Sequence, residues 1–337
     1  MRAMVLHSIC QLENCQDPLI LENLPQPVPG RGEVLLQVLA CGVCHTELDI
    51  IEGRTAPPRL PLIPGHEVVA RVVAHGAGAC RFATGQRVGV GWIHCSDGSN
   101  DENVSPAFRA TGRDAQGGYA EFMCVPESYA YPIPDQFTDE EAAPLLCAGA
   151  IGYRALKLTG LQDGEVLGLT GFGGSGHLVL QLARHLFPSS PVFVFARSAD
   201  ERAFAEKLGA AWAGDTSDVP PQAPHAIIDT TPVWKPVIAA LAVLRPGGRL
   251  VINAIRKEDR DRDVLSTLSY ERHLWLEKEI KSVANITHRD IAEFLPMAAA
   301  ADIHVETQSM PLEEANQALH ALRKGGIRGA YVLEVAR

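Results

Sequence analysis

Cys44, His66 and Cys147 are side chains of the kind that hold a transition metal, and they stand far apart along the chain. The first lies in Cys41-Gly-Val-Cys44-His45-Thr46-Glu47, whose Cys-x-x-Cys taken alone is a redox pair, a structural ligand pair or half of a zinc site. His66 follows 22 residues after Cys44 in Pro-Gly-His66-Glu67-Val-Val, and Cys147 stands much later in Pro-Leu-Leu-Cys147-Ala-Gly. Two thiolates and one imidazole make a three-ligand zinc site whose fourth position is open, as in a catalytic rather than a structural ion. Such an ion is a Lewis acid that lowers the pKa of a bound hydroxyl or water.

A second constellation suits a dinucleotide. The run Val166–Thr170 reads as a strand and leads through Gly171-Phe-Gly173-Gly174-Ser-Gly176 into the apolar helical run His177–Leu186. Between a strand and a helix, such glycines let the backbone turn tightly and approach a pyrophosphate, while the helix N-terminus supplies N–H donors and partial positive charge. An acidic residue that would hold the ribose 2'-hydroxyl of NAD is expected about 20 positions further on. That count reaches Ala196, followed by Arg197 and Ser198, with Arg202 a turn later. Without a carboxylate to repel a 2'-phosphate, and with two arginines and a hydroxyl to bind one, the pattern favours NADP over NAD.

These residues need a scaffold of two kinds. Up to about residue 150 the chain carries short β-branched runs between Gly and Pro, at 33–40, 67–76 and 86–92, which predict a β-rich, partly closed domain. From about Gly149 strands alternate with helical periods, the pattern of a doubly wound parallel sheet. Beyond residue 285 two amphipathic helices and a last strand are expected to return to the first domain. The expected fold is thus α/β, with a Rossmann domain over 149–284 and a catalytic domain over 1–148 and 285–337. A chain of 337 residues with 46% hydrophobic and 21% charged content suits two folded domains rather than disorder. The net charge of -10 argues against nucleic acid and anionic membranes as partners. No apolar run approaches bilayer length, the start reads as a strand rather than a signal peptide, and eight dispersed cysteines suggest reduced thiols, so a cytoplasmic protein is expected. Cys10, Cys15, Cys41, Cys80 and Cys124 are left without a role.

From GEVLLQVLACGVCHTELDI through PGHEVVARVVAHG, QGGYAEF, LLCAGAIGYRAL and GFGGSGHLVLQLAR to GGIRGAYVLEV, the chain resembles the zinc-dependent medium-chain alcohol dehydrogenase family. The resemblance implies a GroES-like catalytic domain beside the Rossmann domain, and hydride transfer between an alcohol or aldehyde and NAD(P). It implies Cys44, His66 and Cys147 as ligands of one catalytic zinc, Glu67 as a carboxylate able to exchange onto the metal, and Glu47, where relatives usually have Asp, as a support for His66. Thr46 would hydrogen-bond the reacting oxygen, His45 and Arg328 would contact the cofactor pyrophosphate, and the backbone near Ile255 would face the nicotinamide. Trp92 matches an aromatic that narrows the pocket in relatives.

Two departures stand out. The lobe that holds a structural zinc on four cysteines in many relatives is reduced here to a stretch bearing Cys95, which predicts one zinc per chain and a polar loop from about Cys95 to Thr111. The position of a relay histidine is Asp49, leaving Asp49 or His45 to end the proton route. Relatives are dimers or tetramers, so a homo-oligomer is expected. The alternatives are a zinc-free quinone or enoyl reductase of the same superfamily and a non-catalytic NADP-binding protein.

Overall fold

The computed structural model describes residues 1–325 and 329–336. It divides into two compact units, one formed by Met1–Ala150, Asn285–Ala299 and His304–Arg337, the other by Ile151–Ala284 and Ala300–Ile303.

The first unit is built on a mixed sheet of seven strands whose centre is the long strand Glu33–Val43. Val68–His75 pairs with it antiparallel along one edge, and Phe122–Pro126 and Ala330–Glu334 pair antiparallel with successive parts of the other. The expected closing strand is thus present. It also pairs in parallel with Thr307–Pro311, whose polar, half-exposed composition carried no clear strand pattern. The β-branched runs supply the core here: Val34, Leu36, Val38, Val68, Val69 and Val72 are all fully buried. The helices His288–Ala300 and Ala315–Lys324 account for the two amphipathic stretches.

The second unit carries six parallel strands, in the order Trp212–Gly214, Val192–Phe195, Leu167–Thr170, Ala226–Asp229, Arg249–Ile252, Glu279–Ser282. In chain order this is 3-2-1-4-5-6, the doubly wound arrangement in which a dinucleotide lies at the carboxyl ends of the strands. The three central strands are buried at every position, because helices cover both faces. Lys235–Val243 is one such helix, packing Val237, Leu241 and Leu244 against Ile227 and Leu250.

Candidate functional site

The chain leaves the strand Glu33–Val43 at Cys44, an extended residue that caps the short helix His45–Ile51. Glu47, in the first turn, turns back so that one carboxylate oxygen accepts the Cys44 N–H at 2.9 Å and the other meets His66 Nδ1 at 2.5 Å. A residue type that favours the first helical turn thereby also orients the imidazole. His66 follows Gly65, where φ of +99° and the close approach of Tyr119 and Cys41 exclude a side chain. With Nδ1 held, Nε2 points to the Cys147 sulfur at 3.2 Å. Cys147 itself sits in a π-helical turn, Leu145–Gly149, between the helices Asp139–Pro144 and Ala150–Thr159. Such wide turns recur at functional sites, and Pro144, which has no N–H to donate, adjoins this one.

One donor atom from each of Cys44, His66, Glu67 and Cys147 lies within 4.8 Å of the others. Tetrahedral zinc with bonds of about 2.3 Å to sulfur spaces its ligand atoms by roughly 3.8 Å, so the donor set and its dimensions suit that ion. The electrostatics suit it as well. The hydrogen bond from Cys147 holds the Cys44 thiol well below the usual range, with help from His66, and the same bond with burial pushes Cys147 well above it. Burial, with Cys44 nearby, raises the Glu67 carboxyl well above its ordinary value. Burial opposes charge on His66, yet Glu47 and Cys44 together outweigh it and raise the imidazole well above its ordinary value. This is a buried cluster of acids that a dication would neutralise.

Thr46 is buried with its hydroxyl 3.6 Å from the Cys44 sulfur. The Trp92 ring stands edge-on to His66 with centroids 5.0 Å apart. His45 is exposed at the helix start, whereas Asp49 is buried and ion-paired to Arg54, so these two relay candidates occupy opposite environments.

In the second unit the strand Leu167–Thr170 ends at Gly171, whose φ is +80° and whose missing Cβ would lie 2.9 Å from the Thr230 hydroxyl. Gly173 caps the helix that begins at Gly174, with open space where its side chain would be, and a Cβ on Gly176 would stand 2.8 Å from the Gly171 carbonyl. Each glycine thus answers to a turn, a ligand-sized opening or a close backbone approach. Further along, Arg197 and Ser198 are exposed, but Ser198 already caps the helix Ala199–Lys207 by accepting from the Glu201 N–H. Arg202 donates to the Ala196 and Arg197 carbonyls and lies 3.8 Å from Asp215. The three residues therefore do not form a free cluster, since two of them also hold the local backbone. Ile255 is exposed, and Arg328 lies outside the described residues.

Residues 30–135 match the alcohol dehydrogenase GroES-like domain family. The chain is 42% identical to the probable alcohol dehydrogenase AdhA of Mycobacterium tuberculosis over 93% of its own length and 91% of that protein's. It is 32% identical to an alcohol dehydrogenase of Moraxella, covering 99% of each. This chain belongs to the zinc-dependent medium-chain alcohol dehydrogenase family. It is an NAD(P)-dependent oxidoreductase of alcohols and aldehydes, with the GroES-like and Rossmann folds of that family. The solved alcohol dehydrogenase of Aeropyrum pernix superposes on it with a TM-score of 0.84 at 25% identity, covering 99% of this chain and all of that one.

Three features of this dehydrogenase escaped sequence reasoning. Asn285 accepts from the Trp92 indole N–H at 2.9 Å and donates to the Asn103 carbonyl, fixing the aromatic from 193 residues away. The stretch expected as a polar loop contains the fully buried Glu102, which accepts from Tyr129, from the His288 amide and from the His288 ring. That correction has a physical reason: a carboxylate in a polar run looks solvated until its partners, distant in sequence, are known. The third is a buried pair at the carboxyl end of the parallel sheet. The Lys257 ammonium contacts Asp229 and donates to the carbonyls of Thr231 and Val233, while Asp229 also accepts from Thr170 and Thr231. Lone Lys and Asp residues give no periodic signal.

Proposed function

We propose that the dehydrogenase binds one zinc ion on Cys44, His66 and Cys147 and uses NADP in preference to NAD. The observation that carries this is the convergence of those three side chains and Glu67, spread over more than a hundred residues of sequence, to within 4.8 Å. Zinc held there supplies Lewis acidity that makes an alcohol hydroxyl easier to deprotonate or a carbonyl easier to attack. Thr46, whose hydroxyl stands beside the sulfur of Cys44, would accept a hydrogen bond from the substrate hydroxyl and relay its proton by giving up its own as that one arrives. His45, exposed on the same first turn, passes it to solvent, a role less suited to Asp49 because Arg54 occupies it. Trp92, held by Asn285 against His66, narrows the pocket to slim substrates.

The turn Gly171–Gly176 and the helix behind it would hold the cofactor pyrophosphate, and the nicotinamide would supply the hydride chemistry. Ala196 leaves the ribose 2'-position without a competing carboxylate, and Arg197 and Ser198 lie exposed beside it. We further infer a homo-oligomer. The outermost strand Glu279–Ser282 is exposed along its length, and Tyr270, Trp275, Leu276 and Ile280 present apolar surface in the same region of sequence.

The test is a panel of primary and secondary alcohols and their aldehydes, run with NAD and with NADP on protein of measured zinc content. One zinc per chain, with turnover lost in Cys44→Ser together with the metal, is expected. Full zinc and turnover in that variant would refute the site.

A further inference from the structure

Four donors converge at the proposed zinc site, and a metal that took all four would have a closed shell, the mark of a structural ion. Resting on the zinc reading above, we infer that Gly42 keeps the site catalytic by giving the Glu67 carboxylate a place to withdraw.

Gly42 lies inside the central strand Glu33–Val43, where glycine is unfavourable and needs a reason. Its backbone does not supply one, because Gly42 is absent from the glycines with positive φ. Space supplies it. A Cβ at Gly42 would stand 1.8 Å from Oε2 of Glu67, 2.8 Å from its Cδ and 2.9 Å from its Cβ. The three nearest atoms all belong to that one side chain. Glu67 is held there by its backbone, since the Gly42 N–H donates to the Glu67 carbonyl at 2.9 Å and so fixes where the side chain begins. Oε2, the oxygen in this notch, is buried and has no hydrogen-bond partner, so it lies there for want of an obstacle, while the carboxyl as a whole is hydrogen-bonded to Cys147. With the notch filled, the carboxylate must swing away from the strand. Its other neighbours within reach are the sulfurs of Cys44 and Cys147 and the ring of His66. A methyl group at position 42 would therefore press Glu67 onto the metal and convert an open three-ligand site into a closed four-ligand one.

The experiment replaces zinc by cobalt(II), whose visible absorption reports the ligand set, and titrates imidazole as an incoming ligand. Wild-type protein is expected to take up cobalt and to shift its spectrum as imidazole binds at the open position. Gly42→Ala is expected to retain cobalt at least as tightly and to need roughly tenfold or more imidazole for the same shift, as competition with a protein carboxylate requires. In Gly42→Ala/Glu67→Ala the obstacle and the displaced carboxylate are both gone, and the wild-type titration should return. Failure of the wild type to bind cobalt would overturn the zinc reading itself. Cobalt binding with an unchanged titration in Gly42→Ala would overturn only the role of Gly42. Should Gly42→Ala fail to fold, recovery of folding in the double variant supports the notch, and failure of both shows that the glycine serves another contact and ends the proposal.

Discussion

Glu47 shows how much a single carboxylate decides here. It closes the first helical turn through the Cys44 amide and holds Nδ1 of His66, so that Nε2 is presented toward Cys147. Replacing it by Ala leaves the three proposed ligands in place but frees the imidazole, and zinc affinity is expected to fall by about 10- to 100-fold. Competition against a chromogenic chelator measures this, and an unchanged affinity would show that His66 is oriented by packing alone. Acidity acts on the same residues. Cys147 is pushed up by its hydrogen bond to Cys44 and by burial, so its thiol carries a proton near neutrality that an incoming zinc must displace. Binding therefore releases protons, and the same competition run at about pH 6 and about pH 8 should give the tighter complex at the higher pH. At the cofactor end, Arg197→Ala is expected to raise the KM for NADP about tenfold or more while leaving that for NAD nearly unchanged, because it removes a charge that only the 2'-phosphate would use. Equal effects on both cofactors would remove the basis for preferring NADP.

Among elements, the parallel sheet is tied at its carboxyl end by the pair Lys257 and Asp229. The carboxylate sits at the end of Ala226–Asp229 and accepts from Thr170 at the end of the neighbouring strand, while the ammonium draws in the carbonyls of Thr231 and Val233. Thr230 and Thr231 in turn border Gly171, so this network sets the wall against which the glycine turn is folded. Lys257→Met removes one partner and leaves a fully buried charge, which costs about 3–5 kcal/mol in such pairs. Lys257→Met/Asp229→Asn should recover a large part of that loss. Urea unfolding of both variants checks it, and a single variant as stable as wild type would mean that water reaches Asp229.

For the whole molecule, the exposed strand Glu279–Ser282 and the apolar residues near it are the expected seat of self-association. Trp275→Glu together with Ile280→Lys is expected to shift the protein to a smaller species in size-exclusion chromatography with light scattering, with zinc content unchanged. A species of unaltered mass would place the contact elsewhere. Among the described residues no helix is long and apolar enough to cross a membrane.

The division of labour between sequence and tertiary structure follows the range of the forces involved. Local pattern was enough for the parallel sheet, because strands buried on both faces read as unbroken apolar runs, and for Gly171 to Gly176, because a tight turn before a helix restricts residue type over a few positions. Residue type and family resemblance together named Cys44, His66, Glu67 and Cys147 as a set. Their meeting within 4.8 Å was decided by the fold, through a capping carboxylate and a π-helical turn. Asn285 behind Trp92, Glu102 under Tyr129 and His288, Arg54 on Asp49 and Lys257 on Asp229 were likewise decided there. A buried polar side chain is defined by its partner, and where that partner lies tens or hundreds of residues away, no local pattern records it.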